Sequence, residues 1–230
     1  MKVLVACEES QTVCKAFREL GHEAYSADIQ ECSGGHPEWH IHGDVIPLIN
    51  GKCKFKTMDG NMHEIDGQWD LLIAHPPCTY LSNCCTRGFS LRVTPAEKVV
   101  KRWENRAIAV AFFMQFMGAD CDKIAVENPI GFMTKAYRKP DQYINAWMWA
   151  ESKDDENYHA KKTGLWLKGL PLLKGNGVFK NFDCGEVYGK YSNGKNKTWE
   201  DSREGANRAK TRSKTFPGIA KAMAEQWGGL

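Results

Sequence analysis

The chain has 230 residues, 42% hydrophobic and 26% charged, with a formal net charge of +3; that is ordinary globular composition, long enough for one substantial core. No stretch approaches the roughly 20 apolar residues of a membrane-spanning helix. Nine cysteines, an odd number without one C-x-x-C spacing, argue against a disulfide framework or zinc ribbon and for a reducing compartment, by default the cytoplasm.

The opening "KVLVAC" (2–7) reads as a buried first strand rather than a signal peptide, because acids follow it at once. Ser10 is placed to cap a helix from Gln11 to Leu20, with Val13, Phe17 and Leu20 on one face and Gly21 as its stop. "HEAYSADI" (22–29) is a second strand ending in an acid. Strand, helix and strand in under 30 residues open a doubly wound α/β domain. A histidine-rich loop follows, and "KCKFKTMDGNMHEI" (52–65) alternates about Asp59-Gly60, predicting a β-hairpin at the sheet's edge.

"QWDLLIAHPP" (68–77) is the next buried strand. Two prolines stiffen its exit and deliver Cys78 at a defined place. Thr94-Pro95-Ala96-Glu97 predicts a capped helix start, and the helix runs to about Met117 with Val100, Trp103, Ala107, Val110, Ala111, Met114 and Met117 as its core face. "DKIAVENP" (122–129) is a strand ending in Glu127 and Asn128, and "TGLWL" (163–167) is one more. Residues 174–215 lack periodicity and read as loops with short strands at best; Pro217 opens a last helix.

Charge divides the chain unevenly. Residues 1–160 hold 17 Lys and Arg against 22 Asp and Glu, net −5; residues 161–230 hold 14 against 6, net +8. A basic final third on an acidic body suits a polyanion, nucleic acid first among them. Cys32, His36, His40 and His42 have a spacing that zinc could use, but Pro37 and acids interrupt them, and a loop lining a pocket, with Trp39 packed into it, is the preferred reading; no metal is assigned. Cys84-Cys85 reads as a packed loop element.

In open α/β sheets ligands bind beyond the carboxyl ends of the strands, where Glu8-Glu9, Asp28, Cys78 and Glu127-Asn128 all fall. A cysteine and a strand-end glutamate converging on one cleft fit covalent catalysis with an acid partner. "HPPCTYLS" followed by "VENP" resembles the paired motifs of DNA (cytosine-5)-methyltransferases, closest to their compact phage versions. The resemblance covers roughly residues 1–135 and 211–227. It implies a doubly wound Rossmann-like methyltransferase sheet with a small, basic, loop-rich C-terminal insertion. It divides the chain into a catalytic and cofactor-binding domain (1–160), a reduced target-recognition region (161–213) and a helix returning to the first strand (214–230).

By that resemblance Pro77-Cys78 supplies the nucleophile for carbon 6 of cytosine. Glu127, with Asn128, holds ring nitrogen 3 and the exocyclic amine, for which a raised pKa of Glu127 is expected from burial. The cofactor implied is S-adenosylmethionine. Ala6 and Glu8 lie at the first turn, Asp28 at its ribose, Ile29 on its adenine, Asp44 and Val45 (in Gly43-Asp44-Val45) at the adenine amine, and Ser213 in the last motif. DNA is the implied partner, contacted by Arg87 and Arg92 in the loop after Cys78, by Lys161 and Lys162, and by Arg208 and Arg212; a monomer is favoured, and for a phage-encoded chain the compartment is the host cytoplasm.

Two elements of the family pattern are missing. The first strand runs into "ACEESQ" without glycine, and no arginine-bearing motif precedes the short recognition region, where Lys161, Lys162 or Thr163 stands in its place. These absences keep two alternatives open: a related enzyme with another transferred group or a pyrimidine outside duplex DNA, and a non-catalytic nucleic-acid-binding module.

Overall fold

The computed structural model describes residues 1–199 and 213–230. Seven strands form one sheet in the order β3-β2-β1-β6-β7-β9-β8: β1 (Lys2–Ala6), β2 (Glu23–Asp28), β3 (His40–His42), β6 (Leu71–Ala74), β7 (Ile124–Pro129), β8 (Gln142–Ile144) and β9 (Thr163–Lys168). The first five in that order are mutually parallel, and β9 runs antiparallel between β7 and β8. This is a mixed α/β architecture with a mostly parallel sheet, and β9 extends it past residue 160.

Strands covered on both faces alternate their side chains between two cores. Val3, Val5, Leu71 and Ile73 face one layer, which holds α1 (Thr12–Glu19) through Val13 and Phe17 and the C-terminal helix (Pro217–Trp227) through Ile219, Met223 and Trp227. Leu4, Leu72, Ile124 and Val126 face the other, with Phe113 and Phe116 of α2 (Ala96–Met117). The C-terminal helix packs against α1 in the layer that covers Val3 and Val5.

The hairpin β4 (Cys53–Lys56) and β5 (Met62–Ile65) forms its own two-stranded sheet, not an extension of the main edge. Phe55 and Ile65 are drawn into the core with Tyr25 and Trp69, and that burial outweighs edge pairing. Pro95, not Thr94, occupies the cap position of α2, with no side-chain cap bond. The helix is also rotated from the expected face: Val100 is 58% and Trp103 47% exposed, while Val99, Arg106, Phe113 and Phe116 are buried. Apolar residues surround most of α2, so spacing alone selects no single face. Between β9 and the C-terminal helix, the described residues form one helical turn, Cys184–Tyr188, and an isolated bridge between Lys190 and Asn196.

The chain winds from β1 outward through β2 and β3, then returns to the other side of β1 for β6 and β7. The crevice beyond the carboxyl ends of β1 and β6 is the topological switch point, the usual ligand site of such sheets. Because β9 is reversed, its amino end, preceded by Lys161 and Lys162, lies at this same edge.

Candidate active site

A cleft of about 1390 Å³ opens at the switch point, and Cys7, Glu8, Asp28, Asp44, His75 and Cys78 are in its wall. Ala74 pairs with Val126 across β6 and β7, so His75, just past the end of β6, stands beside Glu127, which is still within β7. His75 Nδ1 donates to Glu127 Oε2 at 3.1 Å; the two side chains are only 8% and 13% exposed. Thr163, at the start of β9, donates its hydroxyl to the other carboxylate oxygen. Lys161 contributes positive charge to the same carboxylate, while its Nζ donates to the Lys214 carbonyl at 2.9 Å.

This surrounding reverses the expectation for Glu127. Burial alone disfavours its charge, but the His75 hydrogen bond, the Lys161 charge and the Thr163 hydroxyl outweigh burial and hold the carboxyl at about 2. Cys78 goes the other way. Burial pushes its thiol above the ordinary range, the Glu127 charge and Cys84 add to this, and Lys161 opposes it. The resting site therefore holds a carboxylate and a protonated thiol.

Three ties fix the segment that carries Cys78. Asn128, 1% exposed, donates Nδ2 to the Pro76 carbonyl at 2.7 Å; it positions the proline pair. The Cys78 carbonyl accepts from Leu81 and Ser82 at 3.0 and 2.9 Å. Arg106, missed in the sequence because it interrupts an apolar helix, donates Nε to the Tyr80 carbonyl at 2.8 Å. Its guanidinium lies 3.4 Å from the Phe89 ring centroid and 4.5 Å from that of Phe132, a charge held by aromatic faces.

Gly131 completes the clamp by bridging to Ser82. A Cβ there would fall 1.9 Å from the Leu81 carbonyl oxygen. Gly131→Ala is therefore expected to destabilise the protein by about 1–3 kcal/mol through overpacking. Urea unfolding measures this directly, and an unchanged midpoint would contradict the clamp.

The glycine-free turn after β1 takes the same kind of path by other means. Cys7 and Gln11 adopt left-handed φ of 59° and 58°, at a cost of roughly 1–2 kcal/mol each for a non-glycine residue. Gln11 is fully buried; its side chain donates to Ser26 and the His36 carbonyl and accepts from the His36 amide, which holds the conformation. Glu8, not Ser10, caps α1: its carboxylate accepts from the amides of Val13 and Cys14 at 2.6 and 3.1 Å. Ser10 instead shares a hydrogen bond with Thr12. Glu8 is thus committed to the helix, although it borders the cleft.

The other predicted positions divide clearly. Asp28, Ile29, Asp44, Val45, Pro77, Lys162 and Ser213 all line the cleft. Ala6 is fully buried and meets the site only through its carbonyl, which accepts from the His75 amide. Arg87 and Arg92 are exposed beyond the cleft wall, in and just after the segment Asn83–Phe89. Arg208 and Arg212 lie outside the described residues. In the histidine-rich loop, His36 stacks on Trp39 at 3.8 Å, His40 contacts Ser26 and the Gln30 carbonyl, and His42 contacts the Ile29 carbonyl; each ring has a separate structural task.

No protein-family model matches the chain, and no curated protein matches it.

Proposed function

We propose that the protein transfers a methyl group to carbon 5 of cytosine in DNA, with Cys78 as nucleophile and Glu127 as the group that holds the base. The observation that carries this reading is that Cys78 and His75 line one cleft, which also reaches Asp28, Ile29 and Asp44, with the buried Glu127 carboxylate held behind His75 by that ring and by Thr163. A thiol must meet the ring from its face while an acid meets its edge, so both directions have to be fixed. The ties on Pro76, Leu81 and Tyr80 fix the first, and the three partners of Glu127 fix the second.

The cofactor end of the cleft fits S-adenosylmethionine. Ile29 is an apolar side chain left 77% exposed at the cleft wall, a surface that a planar purine would cover. Asp28 and Asp44 stand beside it as acceptors for ribose hydroxyls and an exocyclic amine. Bound there, S-adenosylmethionine supplies an electrophilic methyl group. Cys78 adds to carbon 6, which loads electron density on carbon 5; Glu127 holds nitrogen 3 and the amine. Once carbon 5 carries the methyl group it loses its proton, and Cys78 leaves. A base inside a duplex must first leave the stack. Exposed Arg87, Arg92 and Lys162 supply positive charge for phosphate on the rim.

The mostly parallel sheet with one reversed strand departs from the six parallel strands of the dinucleotide-binding type, which favours this reading over a nicotinamide enzyme. Equilibrium dialysis with labelled S-adenosylmethionine tests the cofactor assignment. Asp28→Ala is expected to weaken binding by about tenfold or more, the worth of a charge-assisted hydrogen bond. Absence of binding to the wild-type protein would remove the methyl donor from the account and turn it toward another transferred group.

A further inference from the structure

His75 is the one member of the cluster for which the family resemblance supplies no role. Its Nδ1 is committed to Glu127 at 3.1 Å, which places a proton on Nδ1. Its Nε2 is buried and has no hydrogen-bond partner among the described residues. The ring lines the cleft that Cys78 also lines, three residues further on. A nucleophile, an imidazole and a carboxylate orienting that imidazole are the parts of a proton-transfer chain.

We propose that His75 relays the Cys78 thiol proton to Glu127, so that nucleophile and base-holding acid are armed in one step. The Cys78 S–H bond breaks with its electron pair staying on sulfur, and the proton goes to His75 Nε2. The Nδ1 proton passes to Glu127 Oε2. The sulfur pair then forms the bond to carbon 6 of cytosine. The C5=C6 pair shifts to C4–C5 and the C4=N3 pair to nitrogen 3, which takes the proton now on Glu127. When the adduct collapses the same protons return along the chain, while the carbon 5 proton leaves to water. The transfer requires Cys78 and Nε2 to come within hydrogen-bond reach, directly or through one water, as catalytic groups often do only in the complex.

The resting charges set what the relay has to do. Cys78 rests as a thiol and Glu127 as a carboxylate, the reverse of what attack on the ring needs. The relay moves one negative charge from Glu127 to Cys78 and leaves the net charge of the buried site unchanged, which avoids stranding a new charge away from water. The other charged groups facing the chain are in place on either side. Glu8 interacts with the His75 ring from the β1–α1 turn, Lys161 with both Glu127 and Cys78, and Cys84 with Cys78.

The delivery to nitrogen 3 rests on the cytosine reading, whereas the transfer from thiol to Glu127 is testable without DNA or cofactor. The full chain is treated with iodoacetamide from pH 5 to 10, and the alkylation rate of each cysteine is read from peptide masses. In His75→Gln, which keeps an amide donor for Glu127 but has no basic nitrogen to take up and pass on a proton, Cys78 is expected to react at least tenfold more slowly near pH 7 and to recover only at high pH. Exposed Cys84 keeps its rate, and buried Cys14 and Cys121 stay protected, showing an intact fold. An unchanged Cys78 profile would overturn the relay.

Glu127→Gln provides a second, opposed test. Removing a negative charge beside Cys78 makes the thiol more reactive by electrostatics alone, but less reactive if its proton can no longer be passed on. Faster alkylation would overturn the relay; slower alkylation supports it. A normal relay with no methyl transfer to any DNA would sink the cytosine reading instead.

Discussion

Cys78→Ala is expected to abolish the proposed methyl transfer, by about 10⁴-fold or more, as removal of a nucleophile does elsewhere, with S-adenosylmethionine binding retained. The separation follows from placement. Cys78 sits after β6 in a turn closed by its own carbonyl, and the proposed cofactor contacts Asp28, Ile29 and Asp44 lie at or just past the ends of β2 and β3. The thiol makes no hydrogen bond that would support the fold among those described, so urea unfolding is expected to change by less than about 1 kcal/mol. Transfer that survives the substitution would remove covalent catalysis from the account. Loss of folding would show that Cys78 is structural.

Glu127→Gln acts on both activity and stability. Losing the group that delivers a proton to the ring is expected to cost about 10²–10⁴-fold in turnover. Its effect on stability depends on pH with a definite sign. The folded carboxyl titrates at about 2 against an ordinary value of 4.5, so the folded state binds this proton less tightly than the unfolded chain. The resulting stabilisation, on the order of 3 kcal/mol, is fully present above pH 4.5 and is lost as pH falls towards 2. Urea unfolding at pH 7, 4.5 and 2.5 should show the wild type losing this increment across the acid range and the Gln variant with a flatter profile. Parallel profiles would show that His75, Lys161 and Thr163 do not hold the carboxylate as described.

The strand ends were legible because their signals are local. Apolar runs closed by proline, as in "IAHPP" and "AVENP", mark both a buried strand and its exit. They put Cys78 and Glu127 beyond or at the carboxyl ends of two strands, at the edge of the sheet where ligands bind. His75 was visible in the same stretch but passed over, since a histidine beside two prolines reads as a stiff strand exit. Laying the two runs side by side with prolines aligned brings His75 opposite Glu127, and the parallel register of β6 and β7 does the same.

The ionisation of Glu127 was not legible, because it depends on partners far away in the chain. Burial alone predicts a raised pKa; His75 and Thr163 lie 52 and 36 residues away, and only the reversed β9 brings the second to the carboxylate. The cap of α1 was misread for a related reason. Ser10 has the preferred side chain, but the left-handed turn through Cys7 and Gln11 swings Glu8 over the amides of Val13 and Cys14. The face of α2 was lost because a helix apolar on most sides is oriented by what it meets, here the loop carbonyl and aromatic rings around Arg106.

The most direct measurement is covalent trapping on DNA in which cytosine carbon 5 carries fluorine. Fluorine cannot leave as a cation, so an adduct that forms at carbon 6 and accepts a methyl group cannot collapse. The account predicts a one-to-one protein–DNA adduct that requires S-adenosylmethionine and maps by peptide mass to Cys78. An adduct on another cysteine, or none on duplex and single-stranded DNA alike in the presence of bound cofactor, would contradict it.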